Sequence, residues 1–192
     1  NMPFSQDIND HGKFSLTATS FGGAVIEGDH LYIPSNGYIT LTPTQSEFDI
    51  GIGDFEFGVE VLMMSTGHGT FPSLFNIGTA WASGAVSMQF NASTRRFMCA
   101  VMNPTERDTF APTAQAFDGT TWVKYVVKRV GGVITTYQDG VAGTPITDNL
   151  SINFARNNRI TIGAAAWALG TTRSHSRIKN LYLKSLGEQN EL

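Results

Sequence analysis

The sequence predicts an all-β fold made of antiparallel strands, arranged as a two-sheet sandwich or a barrel. Helical periodicity is nearly absent along the 192 residues. Twenty glycines separate short runs rich in Val, Ile, Thr, Phe and Tyr, and turn residues spaced in this way are typical of antiparallel sandwiches and barrels. The length suits one domain, and the 41% hydrophobic content is enough for a sizeable core.

The strand candidates follow one another from residue 22 onward. They read GGAVIEG, HLYIP, GYITLT, DFEFGVEVLMM, PSLFNIG, AVSMQFN, RRFMCAVM, DTFAPTAQAF, TTWVKYVVKR, VITTYQ, NRITIGA and RIKNLYLK. In DFEFGVEVLMM, apolar side chains alternate with polar ones or glycine, which predicts a half-buried strand with one polar face. Pro112 removes a ladder donor from DTFAPTAQAF, so that segment is predicted to be an edge strand. Trp122, at the start of the strongest strand, is assigned a structural role.

Paired turn residues predict how these strands connect. Asp139-Gly140 separates VITTYQ from Val141, and Gly131-Gly132 separates TTWVKYVVKR from VITTYQ. Two-residue hairpins require positive φ angles, which Gly adopts freely and Asp tolerates. Two tandem hairpins, and hence a three-strand meander, are predicted here. Asn36-Gly37 is predicted to form a further tight turn.

Four stretches, in this order, resemble the concanavalin A-like, laminin-G-type jelly-roll superfamily. They are HLYIPSNGYITLTPTQSEFDIGIGDFEFGVEVLM, DGTTWVKYVVKRVGGVITTYQDGVA, RITIGA and RIKNLYLK. The resemblance covers roughly residues 10 to 184, and it implies a two-sheet antiparallel jelly-roll sandwich forming a single domain over residues 1–192. The sequence departs from the family pattern at Thr136 and Gln138, where apolar residues are usual. Val123 and Lys124 replace a usual His pair.

Composition excludes several classes of partner. The net charge is −3, and Lys and Arg occur as scattered pairs such as Lys128-Arg129, so electrostatic binding of nucleic acid is not expected. No apolar run approaches the roughly 18 to 20 residues of a membrane helix, and the first residues do not read as a signal peptide. The single cysteine, Cys99, rules out an internal disulfide and reads as a small buried residue. These features favour assembly in a cytosol.

No motif in the sequence predicts catalysis. Glycosidases of related folds use carboxylates at alternate positions of one strand, and the nearest match is Asp54, Glu56 and Glu60. These side chains should share a face, but Gly58 interrupts the spacing, so solvated residues of a polar face are predicted. No zinc-binding, nucleophile-elbow or phosphate-loop motif is present. The sequence therefore predicts that the protein is not an enzyme.

No cofactor is predicted. Laminin-G-type domains sometimes bind calcium through loop oxygens, and Asp118, Asp139 and Asp148-Asn149 are loop candidates. Each is explained equally well as a turn former, so no ligand set is assigned.

A glycan site is predicted at loops that carry tryptophan. IGTAWASG and IGAAAWALG each place a Trp among small residues after a strand, at Trp81 and Trp167, and Arg173 and His175 follow the second. Sugar sites commonly pair an aromatic platform with a few polar groups. If both loops lie at one end of the sandwich, Trp81, Trp167, Arg173 and His175 form a ligand-binding surface. The alternative is that each Trp packs beneath its loop.

Single, disulfide-free domains of the resembled type are common in bacteriophage virion proteins and bacterial surface proteins. The resemblance therefore implies a non-catalytic adhesion module on a virion surface, tail or capsid, that contacts glycans or neighbouring subunits after assembly in the bacterial cytoplasm. A bacterial cell surface is the alternative location. The alternative functions are a purely structural decoration subunit and, less favoured, a carbohydrate-active enzyme. Homo-oligomer formation is left open.

Overall fold

The computed structural model describes residues 16–43, 49–65, 69–78, 84–103, 105–148, 152–153 and 160–186. Within these ranges the chain forms strands, turns and loops and contains no helix. Accordingly, no helix long and apolar enough to cross a membrane occurs in this described part of the chain.

Seventeen strands follow one another in the described residues. They are β1 (Leu16–Phe21), β2 (Val25–Glu27), β3 (His30–Ile33), β4 (Tyr38–Pro43), β5 (Asp49–Gly51), β6 (Phe55–Ser65), β7 (Ser73–Ile77), β8 (Val86–Asn91), β9 (Arg96–Asn103), β10 (Thr105–Phe110), β11 (Trp122–Val130), β12 (Val133–Gln138), β13 (Val141–Ala142), β14 (Ile146–Thr147), β15 (Ile152–Asn153), β16 (Ile160–Ile162) and β17 (His175–Ser185).

The strands form two antiparallel sheets that pack face to face. Sheet A has the order β1-β4-β16-β7-β8-β9-β10, and sheet B has the order β13-β12-β11-β6-β17-β3-β2, with β14 also paired to β12. Strands β15 and β5 form a small separate pair. The predicted two-sheet antiparallel sandwich is confirmed.

The core lies between the two sheets and is filled by alternate side chains of each strand. From sheet B it takes Phe55, Phe57, Val59 and Val61 of β6, all at most 1% exposed, as the sequence alternation predicts. Cys99 of sheet A is also fully buried, and burial raises the pKa of its thiol. The prediction of a small buried residue there is confirmed.

Both glycine-containing hairpins have the predicted geometry. Val130 pairs with Val133 around Gly131-Gly132, whose φ angles are 57° and 77°. Gln138 pairs with Val141 around Asp139-Gly140, whose φ angles are 48° and 86°. Two consecutive positive φ values match the right-handed twist of the flanking strands.

Replacing Gly140 by Val is expected to lower the free energy of unfolding by about 1 kcal/mol or more, because a β-branched residue resists positive φ. A Cβ at Gly140 would meet no atom within 4 Å, so backbone strain is the only cost. Gly170→Val is the matched control, since Gly170 is equally open but has no positive φ. Thermal melts of the two variants test this; equal melting temperatures would contradict the strain argument.

The Asn36-Gly37 turn is confirmed, but it does not join two paired strands of one sheet as a hairpin would. The Gly37 amide donates to the Pro34 carbonyl at 2.8 Å, which closes the turn. However, β3 lies in sheet B and β4 in sheet A. The turn therefore carries the chain from one sheet to the other.

Thr136 and Gln138, which depart from the family pattern, join β12 to the far edge of sheet A. Thr136 Oγ1 donates to the Thr109 carbonyl at 3.3 Å, and Gln138 Oε1 accepts from Thr113 Oγ1 at 2.9 Å. Both side chains are buried, so polar partners replace the apolar contacts of the family pattern. Strand β10 is the edge of sheet A, as predicted, and it ends at Phe110, before Pro112.

Candidate functional site

A tyrosine ring lies on the outer face of sheet B, over a residue that has no side chain. Gly58 of β6 pairs with Tyr182 of β17 on one side and Val126 of β11 on the other. A Cβ at Gly58 would overlap the Tyr182 ring at Cε1, Cζ and Oη. Gly58, which interrupts the carboxylate spacing in the sequence, therefore makes room for an aromatic side chain from the neighbouring strand.

Glu56 anchors this ring. Tyr182 Oη donates to Glu56 Oε1 at 2.6 Å, while Lys128 and Lys184 contact the two carboxylate oxygens at 2.8 and 3.1 Å. Burial raises the pKa of the Glu56 carboxyl, but the hydrogen bonds from Lys128, Tyr182 and Lys184 outweigh that effect and hold the pKa at about 2. Glu56 is therefore ionised at neutral pH and unsuited to act as a general acid.

The Glu56 network is expected to stabilise the fold in a pH-dependent way. A depressed folded-state pKa contributes stability that is fully present above the ordinary pKa of 4.5 and is lost as pH falls toward about 2. Glu56→Gln is expected to cost on the order of 1–2 kcal/mol at pH 7, allowing for solvent around the two lysines. Urea unfolding at several pH values tests this. The difference between wild type and variant should vanish near pH 2; a difference independent of pH would contradict it.

A β-bulge in β17 opens a depression beside the Tyr182 ring. The register between β17 and β6 shifts between Lys179 and Tyr182, and Asn180 within the shift has φ of 52°. Asn tolerates this left-handed conformation better than most residues. The Asn180 Nδ2 group donates to Glu60 Oε1 at 2.8 Å, which fixes the exposed end of the bulge.

This depression, called the Tyr182 depression below, has a volume of about 450 Å³. It is lined by Val59, Glu60, Lys124, Asn180, Tyr182, Leu183 and Lys184. The lining combines one aromatic ring with an amide, a carboxylate and two ammonium groups. Pockets for small ligands typically range from about 300 to 1,000 Å³ and pair apolar surface with a few polar groups.

Trp122 lies on the same outer face, two residues before Lys124 in β11, and is half-buried there. Lys179 Nζ lies 4.3 Å from the centre of its indole ring, and the His30 ring meets it edge-on at 5.9 Å between centroids. The sequence predicts a structural role for Trp122, and these contacts are compatible with that role. The alternation of WVKYVVKR places Trp122 on the same side of the strand as Lys124 and Lys128, and this signal could have revealed its outward position.

Three residues of the predicted glycan site, Trp167, Arg173 and His175, lie within the described residues. Trp81 lies outside the described residues. Trp167 is half-buried in the loop that follows β16, and Arg173 follows that loop. The Arg173 guanidinium lies 5.9 Å from the Tyr38 ring centre, and Tyr38 stacks on the exposed Phe21 at 4.7 Å. Arg173 therefore faces an aromatic pair on sheet A that the sequence did not indicate.

His175 contacts different side chains from those that Arg173 contacts. His175 begins β17 in sheet B, where its Nδ1 lies 3.1 Å from Ser65 Oγ and its Nε2 lies 3.3 Å from Tyr32 Oη. Burial first, and then the charge of Arg177, lower the pKa of the His175 ring. Arg173 contacts sheet A and His175 contacts sheet B, so the described contacts do not bring these two side chains together.

Three of the loop residues considered for calcium serve as turn and loop acceptors, and the fourth, Asn149, lies outside the described residues. Asp118 accepts from the Thr120 and Thr121 amides at 2.8 and 2.9 Å. Asp139 accepts from the Lys124 amide at 3.0 Å, and buried Asp148 accepts from Asn103 Nδ2 at 3.1 Å. Among the described residues, no three His, Cys, Asp or Glu side chains are grouped as a metal site would require.

Together, the two sheets and their order define a laminin-G-type β-sandwich. Comparison with solved structures agrees. The chain is similar to domain 4 of a GH43 extracellular arabinanase from Geobacillus stearothermophilus, solved with arabinotriose, at 16% identity and a TM-score of 0.70, covering 96% of this chain and 90% of that one.

Two further structures share the fold. The binding domain of botulinum neurotoxin serotype G has 12% identity and a TM-score of 0.69, covering 95% of this chain and 46% of that one. Domains LG4-5 of the mouse laminin α1 chain have 16% identity and a TM-score of 0.61, covering 90% and 43%. The chain thus spans less than half of these two structures. No protein-family profile and no curated protein sequence matches the chain.

Proposed function

We propose that the domain is a non-catalytic glycan-binding module and that the Tyr182 depression holds the sugar. The observation that carries the proposal is the Tyr182 ring, which lies over Gly58 beside hydrogen-bonding groups in a depression of about 450 Å³. A sugar ring has an apolar face bordered by hydroxyls. An aromatic surface edged by amide, carboxylate and ammonium groups complements both features.

The fixed geometry of the lining supports this proposal. Tyr182 is held by Glu56 at 2.6 Å, and Asn180 is held by Glu60 at 2.8 Å. Side chains that are ordered before binding lose less conformational entropy when a ligand arrives. A domain of the same fold, from the arabinanase, was solved with arabinotriose, which adds support for a sugar as the ligand class.

The proposed location is a virion surface, with a bacterial cell surface as the alternative. The support is the sequence resemblance together with the single, buried cysteine, since a domain without disulfides can be assembled in a reducing cytosol. There the module would attach the particle to glycans or to neighbouring subunits.

Tyr182→Ala is expected to weaken glycan binding about fivefold or more, because a stacked aromatic contact contributes roughly 1 kcal/mol. Asn180→Gly should also weaken binding while it preserves the bulge, since Gly adopts positive φ freely. Isothermal titration of each variant, with the best ligands from a glycan array, measures these effects. Thermal melts of each variant show whether it remains folded at the titration temperature.

Tyr38→Ala is the matched control, because Tyr38 is a half-buried surface aromatic on the opposite sheet. Its glycan affinity should equal that of the wild type. If Tyr38→Ala abolishes binding and Tyr182→Ala does not, the sugar binds at the Trp167–Arg173 loop, as proposed from the sequence. If the array shows no glycan binding, the proposed function is wrong.

A second candidate function, a structural decoration subunit, is favoured by exposed apolar residues at one end of the sandwich. They are Ile52, Val130, Val133 and Leu186, which are 71%, 56%, 40% and 37% exposed. Val130 and Val133 face each other across the hairpin, and the Leu186 amide donates to the Asp54 carbonyl at 2.9 Å. Apolar clusters of this kind often mark subunit contacts. Sedimentation velocity would reveal an oligomer that Val130→Glu dissociates.

A further inference from the structure

We propose that the Tyr182 depression selects glycans that carry an acidic group, a carboxylate or a sulfate, and that Lys124 is the residue that recognises it. This inference rests on the proposed glycan-binding function and specifies its ligand class. Carboxylates and sulfates both present negatively charged oxygens to a lysine ammonium. A lysine ammonium acts as a point charge and does not require the planar, two-pronged geometry that arginine favours.

Lys124 is the one lysine of the depression whose ammonium has no partner among the described residues. It is exposed and lines the depression. Glu60 stands directly across from it on β6, but the Glu60 carboxylate is engaged by Asn180 at 2.8 Å and by Lys179 at 3.8 Å. The Lys124 ammonium therefore remains available to a ligand in the depression.

The groups that line the depression carry an excess of one positive charge. Lys124 and Lys184 line it together with one carboxylate, Glu60. Lys184 is engaged by Glu56 at 3.1 Å, and the Asp139 carboxylate, which is not part of the lining, accepts from the Lys124 amide at 3.0 Å. The lining is therefore positive on a chain whose net charge is −3.

The lysines are far apart in the sequence and meet only through strand pairing. β11 contributes Lys124 and Lys128, while β17 contributes Lys179 and Lys184. Both strands flank β6, which brings Lys124 of β11 and Lys184 of β17 to the same depression. Ammonium groups placed in this way attract anions at a distance and hold them more weakly as salt screens the interaction.

Matched pairs of polymers separate charge from sugar recognition. Polygalacturonate is compared with its fully methyl-esterified form, and dextran sulfate with dextran, by titration at low and physiological salt. Wild-type protein is expected to bind the acidic member of at least one pair about tenfold or more tightly at low salt, and this preference should shrink as salt rises. Lys124→Gln is expected to remove most of the preference, because it lowers the affinity for the acidic member far more than the affinity for the neutral member.

Arg95→Gln is the charge-matched control, because Arg95 is exposed in the turn between β8 and β9, on sheet A. It should leave both affinities unchanged. Equal binding of both members of every pair overturns the inference and leaves glycan binding standing. An equal loss of both affinities in Lys124→Gln also overturns the inference and leaves glycan binding standing. Binding of single-stranded DNA as tight as that of the acidic polymers would show attraction by charge alone and would also overturn it. Absence of binding to every polymer and every array sugar overturns both proposals.

Discussion

Arg129→Ala is expected to lower the free energy of unfolding by about 3–5 kcal/mol, the range for truncating a large buried side chain that also holds polar partners. Arg129 is fully buried at the end of the core. Its Nε donates to the Gly53 carbonyl and its Nη2 to the Gly51 carbonyl, both at 2.8 Å. Its guanidinium lies 5.0 Å from the Phe55 ring centre. Truncation would leave a cavity and two carbonyls without this donor.

Lys128→Ala is the control, because Lys128 is the adjacent residue on the opposite, outward side of β11. It should cost no more than about 1 kcal/mol, which is typical of a partly exposed ion pair. Urea unfolding with a two-state fit measures both variants. Similar costs for Arg129→Ala and Lys128→Ala would show that the buried guanidinium does not hold the 51–53 segment in place.

Gly143→Ala is expected to destabilise the domain by about 3 kcal/mol or more, because overpacking against backbone cannot be relieved by a rotamer change. A Cβ at Gly143 would overlap the Phe110 carbonyl oxygen and would come within 3.0 Å of the Thr136 carbonyl oxygen. The Gly143 amide donates to that same Thr136 oxygen at 2.7 Å. This close approach closes the sandwich between β10 of sheet A and β12 of sheet B.

Gly170→Ala provides the comparison, since a Cβ at Gly170 meets no atom within 4 Å. That variant should melt within a degree or two of the wild type, as a surface substitution away from special features usually does. Thermal melts followed by circular dichroism give both values. A Gly143→Ala protein as stable as Gly170→Ala would contradict the close packing of β10 against the 143 segment.

The sequence predicted the parts of the fold that local chemistry controls. The two hairpins follow from the φ preferences of Gly131-Gly132 and Asp139-Gly140, and the inner face of β6 follows from its alternation. The pair Lys128-Arg129 looked like an ordinary basic pair. Strand alternation would have placed Arg129 on the inner face, but its carbonyl partners, 76 and 78 positions away, depend on tertiary packing.

The Tyr182 depression could not be predicted for a related reason. It requires a bulge at Asn180, a glycine on the neighbouring strand and lysines from a third strand, and only the strand order brings these together. The sequence directed attention to Trp81, Trp167, Arg173 and His175 because tryptophans in loops are conspicuous. The residues now proposed to bind sugar lie within strands, where a local pattern does not distinguish a binding face from a solvated one.

Mapping the bound glycan onto the backbone tests the central claim most directly. Amide chemical shifts of the labelled domain are recorded while the best glycan from the array is added. We expect the largest changes in β6 around Gly58 and Glu60, in β11 at Lys124 and in β17 from Asn180 to Lys184, with Tyr182→Ala abolishing them. Changes confined to the loop between Ile162 and Arg173 and to Tyr38, or unaltered changes in Tyr182→Ala, would contradict a sugar site in the Tyr182 depression.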